Sequence, residues 1–534
     1  MKPVAEIDLQ RENEQLKKLL KISEANAEAL EKSLGESGNI LKNKTLKIEQ
    51  LEEVIRFLKH LKFGRSSEKF DNKQHDLFNE AEEIVELEEA SASDFTETLV
   101  PEHTVKTPKH KSRTLQNLPK DIPRNEVEHD LGEAEKMCNC GCKMTRCGSE
   151  RSEVLEVVPP QFSVTVNVRH TYACQSCEGQ LKTAKKPPQV IEKSFSSPSL
   201  LAYIIVSKYL YALPLYRQEK IYKSLKVPLK RNTMANWVIR CGDLIQPLLE
   251  RFEFFLLRDD YLQVDETRLQ VLNEPDRDPS KLSQMWVRRS TGDTPIILFD
   301  YSPSRSGVQA CTLLKNFSGY LQTDDYAGYN RVVKANGLTQ LGCNAHARRK
   351  FDEAKKSEPV KNKPSNKSPS GAELGLMYYK KLYKIEKDIK HLSESERFRI
   401  RLEKSVPLMK KFVSWAEKTL LNTPKSVKLG IALKYLVKNQ EKLIQYCGHG
   451  KLHIDNNFAE GAIRPYVIGR KNWLFSDSAK GAKASAALYS LIETAKANDL
   501  NIFDYLSHLF TVLPNSSSNV ELDTLLPWNV TLPD

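Results

Sequence analysis
No stretch of this sequence is long and apolar enough to cross a bilayer. The longest candidate, Leu200 to Tyr216, is broken by Lys208 and Pro214 and falls short of the roughly 20 residues that a span needs. The first ten residues carry Glu6 and Asp8 and no apolar core of the signal-peptide kind, so the expected compartment is the cytoplasm. Cysteine is sparse, ten in 534 residues, yet six of the ten fall between Cys138 and Cys177. In a reducing compartment that clustering points to a metal rather than to disulfides. The first hundred residues have no excess of positive charge, with 15 Lys and Arg against 22 Asp and Glu, whereas the remainder holds 66 against 47. The net +12 is therefore a −7 arm joined to a +19 body, and a basic body of that size favours a polyanionic partner, nucleic acid before anionic membrane. With 40% hydrophobic and 28% charged residues, neither wholesale disorder nor a membrane-embedded class is indicated.

Between residues 9 and 61 the apolar residues repeat every seven. Leu20, Ala27, Leu34, Leu41, Ile48 and Ile55 fill one position, with Leu9, Leu16, Leu30, Leu51 and Leu58 three residues out of phase. This is a coiled-coil pattern over residues 1–70, weakened by Gly35 and Gly38, and it predicts self-association or a helix folded back on its own body. Residues 71–125 read as a linker: nine acidic residues and no Lys or Arg between Asp76 and Glu97, then a segment containing Pro and Lys.

Residues 126–190 hold the cysteine cluster. A structural zinc ion takes four thiolate or imidazole ligands, supplied by two knuckles that a hairpin brings together. Cys138 and Cys140 with Cys174 and Cys177 are the expected ligands, Cys142 and Cys147 being substitutes, and Val154 to Val158 with Phe162 to Val168 read as the strands of a β-ribbon. Residues 191–255 read as helices. In RNTMANWVIRCG, Arg231, Asn232, Asn236 and Arg240 are candidate DNA contacts and Trp237 a packing anchor, either in a helix-turn-helix or in two helices packed on a core.

Residues 256–480 alternate like strands and present acids. Asp265 lies within YLQVDETRLQVL, Asp324 and Asp325 follow the run Tyr320 to Thr323, and Asp455 and Glu460 precede Arg464, Arg470 and Lys471 at the start of a helix. A helical insertion is expected at about 355–448, and residues 481–534 read as a C-terminal helical segment. Hydrolysis or transfer of a phosphodiester needs two divalent ions about 3.5–4 Å apart, and Mg²⁺ takes carboxylate oxygens, so acids from separate elements are suitable ligands.

The chain resembles the transposases of the insertion sequence 66 family. The resemblance runs in order through LKHLKFGRSSEK at 58–69, the cysteine module, QVDET at 263–267, LQTDDYAGYN at 321–330 and CNAHARRKF at 343–351. It continues through IDNNFAEGAIRP and IGRKNWLFS at 454–476, LIETAKANDLNIFDYL at 491–506 and LLPWN at 525–529. It implies an α/β ribonuclease-H-like core with a helical insertion, and a catalytic triad of Asp265, Asp324 and Glu460 holding two Mg²⁺ ions, with Mn²⁺ as a substitute. The implied reaction nicks DNA at the element's terminal inverted repeats, after which the freed 3′-hydroxyl attacks target DNA without a covalent protein intermediate. Arg464, Arg470 and Lys471 would bind phosphates; the alternative for them is a solvated helix face. A homo-oligomer, at least a dimer, is implied by the need to hold two DNA ends, accessory proteins encoded by the same element are a further implied partner, and nucleoid association follows from DNA binding.

Two residues depart from the family pattern: Asp325 where glycine usually follows the second aspartate, and Gly461 where a basic residue commonly follows the glutamate. Cys343 and His346 form a C-x-x-H pair of the kind that binds metal, but no second pair is evident nearby in sequence, which favours a structural role beside the sheet. The alternatives to a transposase are a catalytically inactive relic or DNA-binding regulator, and an unrelated nuclease.

Overall fold
The computed structural model describes residues 161–173, 181–185, 189–358, 368–516 and 518–533, with scattered positions between 17 and 55. Contacts divide the chain into two units, one of Phe95–Pro187 and one of Met1–Asp94 with Pro188–Asp534.

In the smaller unit a short antiparallel ribbon joins β1 (Thr171–Ala173) to β2 (Leu181–Thr183), with Thr171 opposite Thr183 and their hydroxyls 2.9 Å apart. The ladder thus begins later than the alternation predicts. Among the described residues Phe162 to Val168 carries no strand and β2 pairs with residues 171–173, while Val164, Val166 and Val168 are 90%, 78% and 72% exposed. The expected strand Val154 to Val158 and the candidate zinc ligands Cys138, Cys140, Cys142, Cys147, Cys174 and Cys177 lie outside the described residues.

In the larger unit the described positions between 17 and 55 are helical, and Leu20, Leu34, Ile48, Leu51 and Ile55 of the heptad stripe are exposed. Four helices then lead to the sheet: α1 (Pro198–Tyr209), α2 (Leu215–Ser224), α3 (Arg231–Leu244) and α4 (Gln246–Leu256). Ser197 starts α1 by accepting the Leu200 N–H at 3.1 Å, with Pro198 in the first turn where its missing N–H costs nothing.

Six strands form a mixed sheet, five of them in the order β5-β4-β3-β6-β7: β3 (Tyr261–Asn273), β4 (Leu282–Ser290), β5 (Ile297–Ser302), β6 (Tyr320–Thr323) and β7 (Thr339–Gly342), with the sixth, at Ser476–Ser478, paired to β3 off this path. β3, β4 and β5 are antiparallel neighbours, whereas β6 and β7 run parallel to β3. Helices α5 (Gly307–Leu313) and α6 (Asn330–Asn336) provide the crossovers. Gly319, at φ +121°, lets β6 enter beside Asp260, whose carbonyl oxygen would stand 2.3 Å from any Cβ at this position.

Helix α7 (Asn344–Ser357) leaves β7 and opens the helical insertion, which continues as α8 (Gly371–Ile389), α9 (Glu394–Ile400), α10 (Val406–Leu421) and α11 (Lys428–Ile444). It has its own apolar cluster, with Phe351, Tyr379, Phe412 and Leu433 at the centre. The chain returns through α12 (Asn457–Trp473), a short β8 (Ser476–Ser478) beside the end of β3, then α13 (Ala479–Ala497), α14 (Ile502–Val512) and α15 (Asn519–Thr524). Helix α13 covers the sheet edge: Ser490 Oγ accepts the Phe299 N–H at 2.7 Å and Thr494 Oγ1 the Ile297 N–H at 2.9 Å, occupying groups that a further strand would use. One apolar cluster extends from Ile191 to Leu526 and takes in the helices before the sheet, the sheet and the C-terminal helices. Among the described residues no helix is long and apolar enough to cross a membrane.

Candidate active site
The strand β3 alternates as its sequence predicts, but both of its faces are covered, so the polar side chains are buried as well. Gln263 lies fully buried and acts as a clamp. Its Nε2 donates to Gln322 Oε1 at 2.8 Å and to the Asp455 carbonyl at 3.0 Å, and its Oε1 accepts the Ala459 N–H at 3.1 Å. Gln322 donates to the His453 carbonyl at 3.0 Å, and Asn456 Nδ2 to the Val264 carbonyl at 3.1 Å. The segment before α12 is thereby stitched to the two central strands. Buried amides are costly unless bonded, and here their bonds set where the first turn of α12 begins.

That turn carries Glu460, which is buried. In the parallel pairing of β3 with β6, Gln263 is opposite Gln322, so continuing the register by two residues sets Asp324 beside Asp265. The three acids feel one another. Burial, reinforced by Glu460, Glu266 and Asp324, pushes the Asp265 carboxyl well above the usual carboxylate range. Burial pushes Glu460 up to about 7 against the pull of Arg349. Of the adjacent pair, Asp325 points elsewhere, to Lys438 Nζ at 2.8 Å and Lys442 Nζ at 3.9 Å on α11, whereas Asp324 Oδ2 lies 3.6 Å from Arg305 within the cluster.

Helix α7 faces Glu460 from the other side. His346 Nδ1 lies 3.4 Å and Arg349 Nη2 3.7 Å from its carboxylate, while Cys343 Sγ accepts the Asn456 N–H at 3.3 Å and stands 3.8 Å from Glu460 Oε1. Ligand atoms of Cys343, His346 and Glu460 all lie within 4.8 Å of one another. Burial holds the Cys343 thiol protonated, and burial with the nearby Arg349 and Lys350 lowers His346 to about 4, leaving a neutral imidazole at pH 7. The pair thus seats the start of α12 against the end of β7.

A fourth acid, Glu266, joins the cluster. Its carboxylate accepts from Tyr329 Oη at 2.5 Å and from Arg305 Nε at 2.6 Å, and burial raises it despite both donors. Neither Glu266 nor Arg305 is singled out by the sequence pattern. Glu266 is legible in VDET as the next acid along, but Arg305 sits in a polar turn that gives no local signal.

Asp265, Asp324 and Glu460 offer carboxylate oxygens, the donors Mg²⁺ takes, and Glu460 Oε2 is buried with no hydrogen-bond donor, its nearest compensating charge being Arg349 Nη2 at 3.7 Å. The donor type of the three acids thus suits a divalent ion, while among the described residues the potential metal ligands whose atoms all lie within 4.8 Å of one another are Cys343, His346 and Glu460. Beyond the acids, Arg470 Nη1 donates to Thr267 Oγ1 at 3.2 Å on α12's sheet side, Arg464 is half-buried, and Lys471 is exposed. Gly461 is exposed, and a Cβ there would meet nothing within 4 Å, so the glycine removes a side chain without altering the packing. Arg231, Asn232, Asn236 and Arg240 are all exposed on α3, opposite the buried Met234, Trp237, Val238 and Cys241. Trp237 anchors that helix edge-on against Phe195 at 5.0 Å.

Comparison with known proteins gives four family matches. Residues 193–484 match the Transposase IS66 family, residues 490–528 the IS66 C-terminal element, residues 135–178 the zinc-finger binding domain of transposase IS66, and residues 50–127 the Transposase C of IS166 homeodomain. Among curated relatives, the uncharacterized protein y4jD of Sinorhizobium fredii is 30% identical over 431 residues, covering 78% of this chain and 82% of the relative. The uncharacterized protein y4qI of the same organism is 31% identical over 440 residues, 78% of this chain and 80% of the relative. A third, y4hP, is 29% identical over 500 residues, 90% of this chain and 88% of the relative. No solved structure matches.

Proposed function
The chain belongs to the IS66 transposase family, and from that premise we propose that it cuts DNA at the terminal inverted repeats of an insertion sequence and joins the freed 3′-hydroxyl to target DNA. The observation that carries the reading is that the carboxyl of Asp265, on the central strand, is raised by burial and also by Glu460, on a helix nearly two hundred residues further on, and by Asp324, just beyond the parallel neighbour of that strand. A mixed sheet with the first acid on its central strand, together with a helical insertion between the second acid and the third, supports the ribonuclease-H-like assignment.

Asp265, Asp324 and Glu460 would hold two Mg²⁺ ions, with Mn²⁺ as a substitute. Such ions, when bound, activate the attacking oxygen and stabilise the leaving one. The protein's own contribution is position and charge. The buried Gln263, Gln322 and Asn456 bonds hold the start of α12, and hence Glu460, against β3. Arg349 offsets part of the negative charge beside Glu460, at 3.7 Å. Arg464, Arg470 and Lys471 lie along the same helix as Glu460 and are assigned to DNA phosphates. The exposed face of α3, with Arg231 and Arg240, is assigned to DNA further from the chemistry.

The zinc-finger match over residues 135–178 supports a structural Zn²⁺ held by Cys138, Cys140, Cys174 and Cys177, with Cys142 as substitute. The exposed heptad residues support association into at least a dimer through residues 1–70. The remaining segments are assigned as a linker over 71–125, the zinc module over 126–190, a helical DNA-binding region over 191–255, the catalytic core over 256–480 and a C-terminal helical segment over 481–534. The protein is placed in the cytoplasm, on the nucleoid when bound to DNA, with accessory proteins of the element as further partners.

The test is cleavage and strand transfer on DNA carrying the element's own ends, with Mg²⁺ present or chelated. Loss of both reactions in Asp265→Asn, Asp324→Asn and Glu460→Gln, with DNA binding retained, is the expected result. Activity that survives these substitutions overturns the triad, and binding without any metal-dependent chemistry in the wild type indicates a regulator or relic.

A further inference from the structure
Carboxylates crowded in a poorly solvated place need compensating charge when no metal ion is bound. Beside Glu460 that charge is Arg349. On the opposite side it is Arg305, from the turn between β5 and α5. Its Nε donates to Glu266 Oε1 at 2.6 Å, and its Nη2 also pairs with that oxygen. The same Nη2 stands 3.6 Å from Asp324 Oδ2, beyond hydrogen-bond length. Glu266 is gripped a second time by Tyr329 Oη at 2.5 Å, and its side chain is 1% exposed. Arg305 therefore holds one acid tightly and a second one loosely.

The attachment of Arg305 suits a side chain that turns. Tyr326 Oη donates to the Arg305 carbonyl, and the guanidinium lies 3.8 Å from the centre of the Tyr326 ring, so its base is tied to the turn that carries Asp324. Its side chain is nevertheless 42% exposed, leaving room to move outward.

Resting on the assignment of Asp324 as a metal ligand, we propose that Arg305 is a positioning residue that takes the cation's place beside Asp324 in the metal-free chain and yields that carboxylate to the divalent ion. Glu266 stays bound to Arg305 and Tyr329, which keeps this fourth acid out of the ligand set. A guanidinium carries one charge spread over a broad plane, whereas a divalent ion concentrates two at shorter range, so the ion wins the more weakly held acid.

This arrangement sets the sign of an equilibrium measurement made without DNA. The full, zinc-loaded chain is titrated with Mn²⁺, and free Mn²⁺ is read by electron paramagnetic resonance. Arg305→Ala is expected to bind Mn²⁺ ~3- to 10-fold more tightly than the wild type, because a competing charge of ion-pair strength has been removed. Arg305→Lys, which keeps the charge, is expected to stay near the wild type. Unchanged or weaker binding by Arg305→Ala overturns the proposal, since a residue that merely braced the acids would loosen the site when lost. If the alanine variant loses its near-ultraviolet circular dichroism, Arg305→Gln is read in its place with the same expected sign. Asp265→Asn tests the underlying assignment separately. If it binds Mn²⁺ as the wild type does, the acids are not the ligands and both readings fall; if it loses the ion while Arg305→Ala does not tighten, only the role of Arg305 falls.

Discussion
Glu460→Gln should make the metal-free protein more stable while abolishing its chemistry. Burial raises the Glu460 carboxyl from 4.5 to about 7, so the folded state prefers it protonated. The stability this group contributes is fully present below pH 4.5 and is lost as pH rises through about 7. At about 1.36 kcal/mol per unit the ionised group costs up to about 3 kcal/mol at pH 8. Part of that is shared with Asp265 and Asp324, so about 1–3 kcal/mol is expected on replacement by the neutral, nearly isosteric glutamine. Thermal unfolding followed by circular dichroism, with Mg²⁺ chelated, should show the variant melting about 1–3 °C higher at pH 8 for a chain of this size, and the gap should close toward pH 4.5. Adding Mg²⁺ should reverse the order, because an ion at about one hundred times its Kd stabilises only the chain that binds it, by about 2.7 kcal/mol. A variant that is no more stable than the wild type at pH 8, or that gains as much from Mg²⁺, would refute the reasoning.

Three further outcomes follow from other parts of the structure. Asp325→Asn should retain most of the cleavage activity while Asp324→Asn loses at least ~100-fold, because Asp325 pairs with Lys438 and Lys442 away from the other acids; equal losses in a cleavage assay would contradict this. Lys208, over the Trp473 ring at 4.3 Å, is lowered by burial to about 8, so the folded state penalises its proton below that pH and stability climbs between about 8 and 10.5. Lys208→Met should therefore raise the free energy of unfolding at pH 7 by about 1–2 kcal/mol after losing a cation–π contact, with the gain vanishing by pH 10. Purified chain should carry one zinc ion by elemental analysis, and Cys174→Ser or Cys177→Ser should release it; zinc retained in both would remove these residues from the ligand set.

Much of the site was legible in short strings. QVDET and LQTD flag the two aspartates within strand-like runs, but nothing in either string marks the buried clamp that Gln263 and Gln322 form, which exists only once β3, β6 and the segment before α12 meet. The choice between Asp324 and Asp325 depends in the sequence on family resemblance alone; the structure separates them by the lysines of α11, more than a hundred residues away. The zinc module was legible by its cysteines, but the strand start was not, because alternation in Phe162 to Val168 says that a ladder is allowed and not where its partner pairs.

By itself the sequence determined the local and the compositional: a heptad helix, a cysteine cluster, strands that carry acids, a basic body, and motifs specific enough to name the family. These depend on residue type and near spacing, which the chain carries whether or not it is folded. Only the tertiary structure decided that Glu266 and Arg305 belong to the cluster and that α7 supplies His346 and Arg349 to Glu460. Those relations join residues far apart in sequence whose distances, burial and charges exist only once the sheet and α12 have closed on one another.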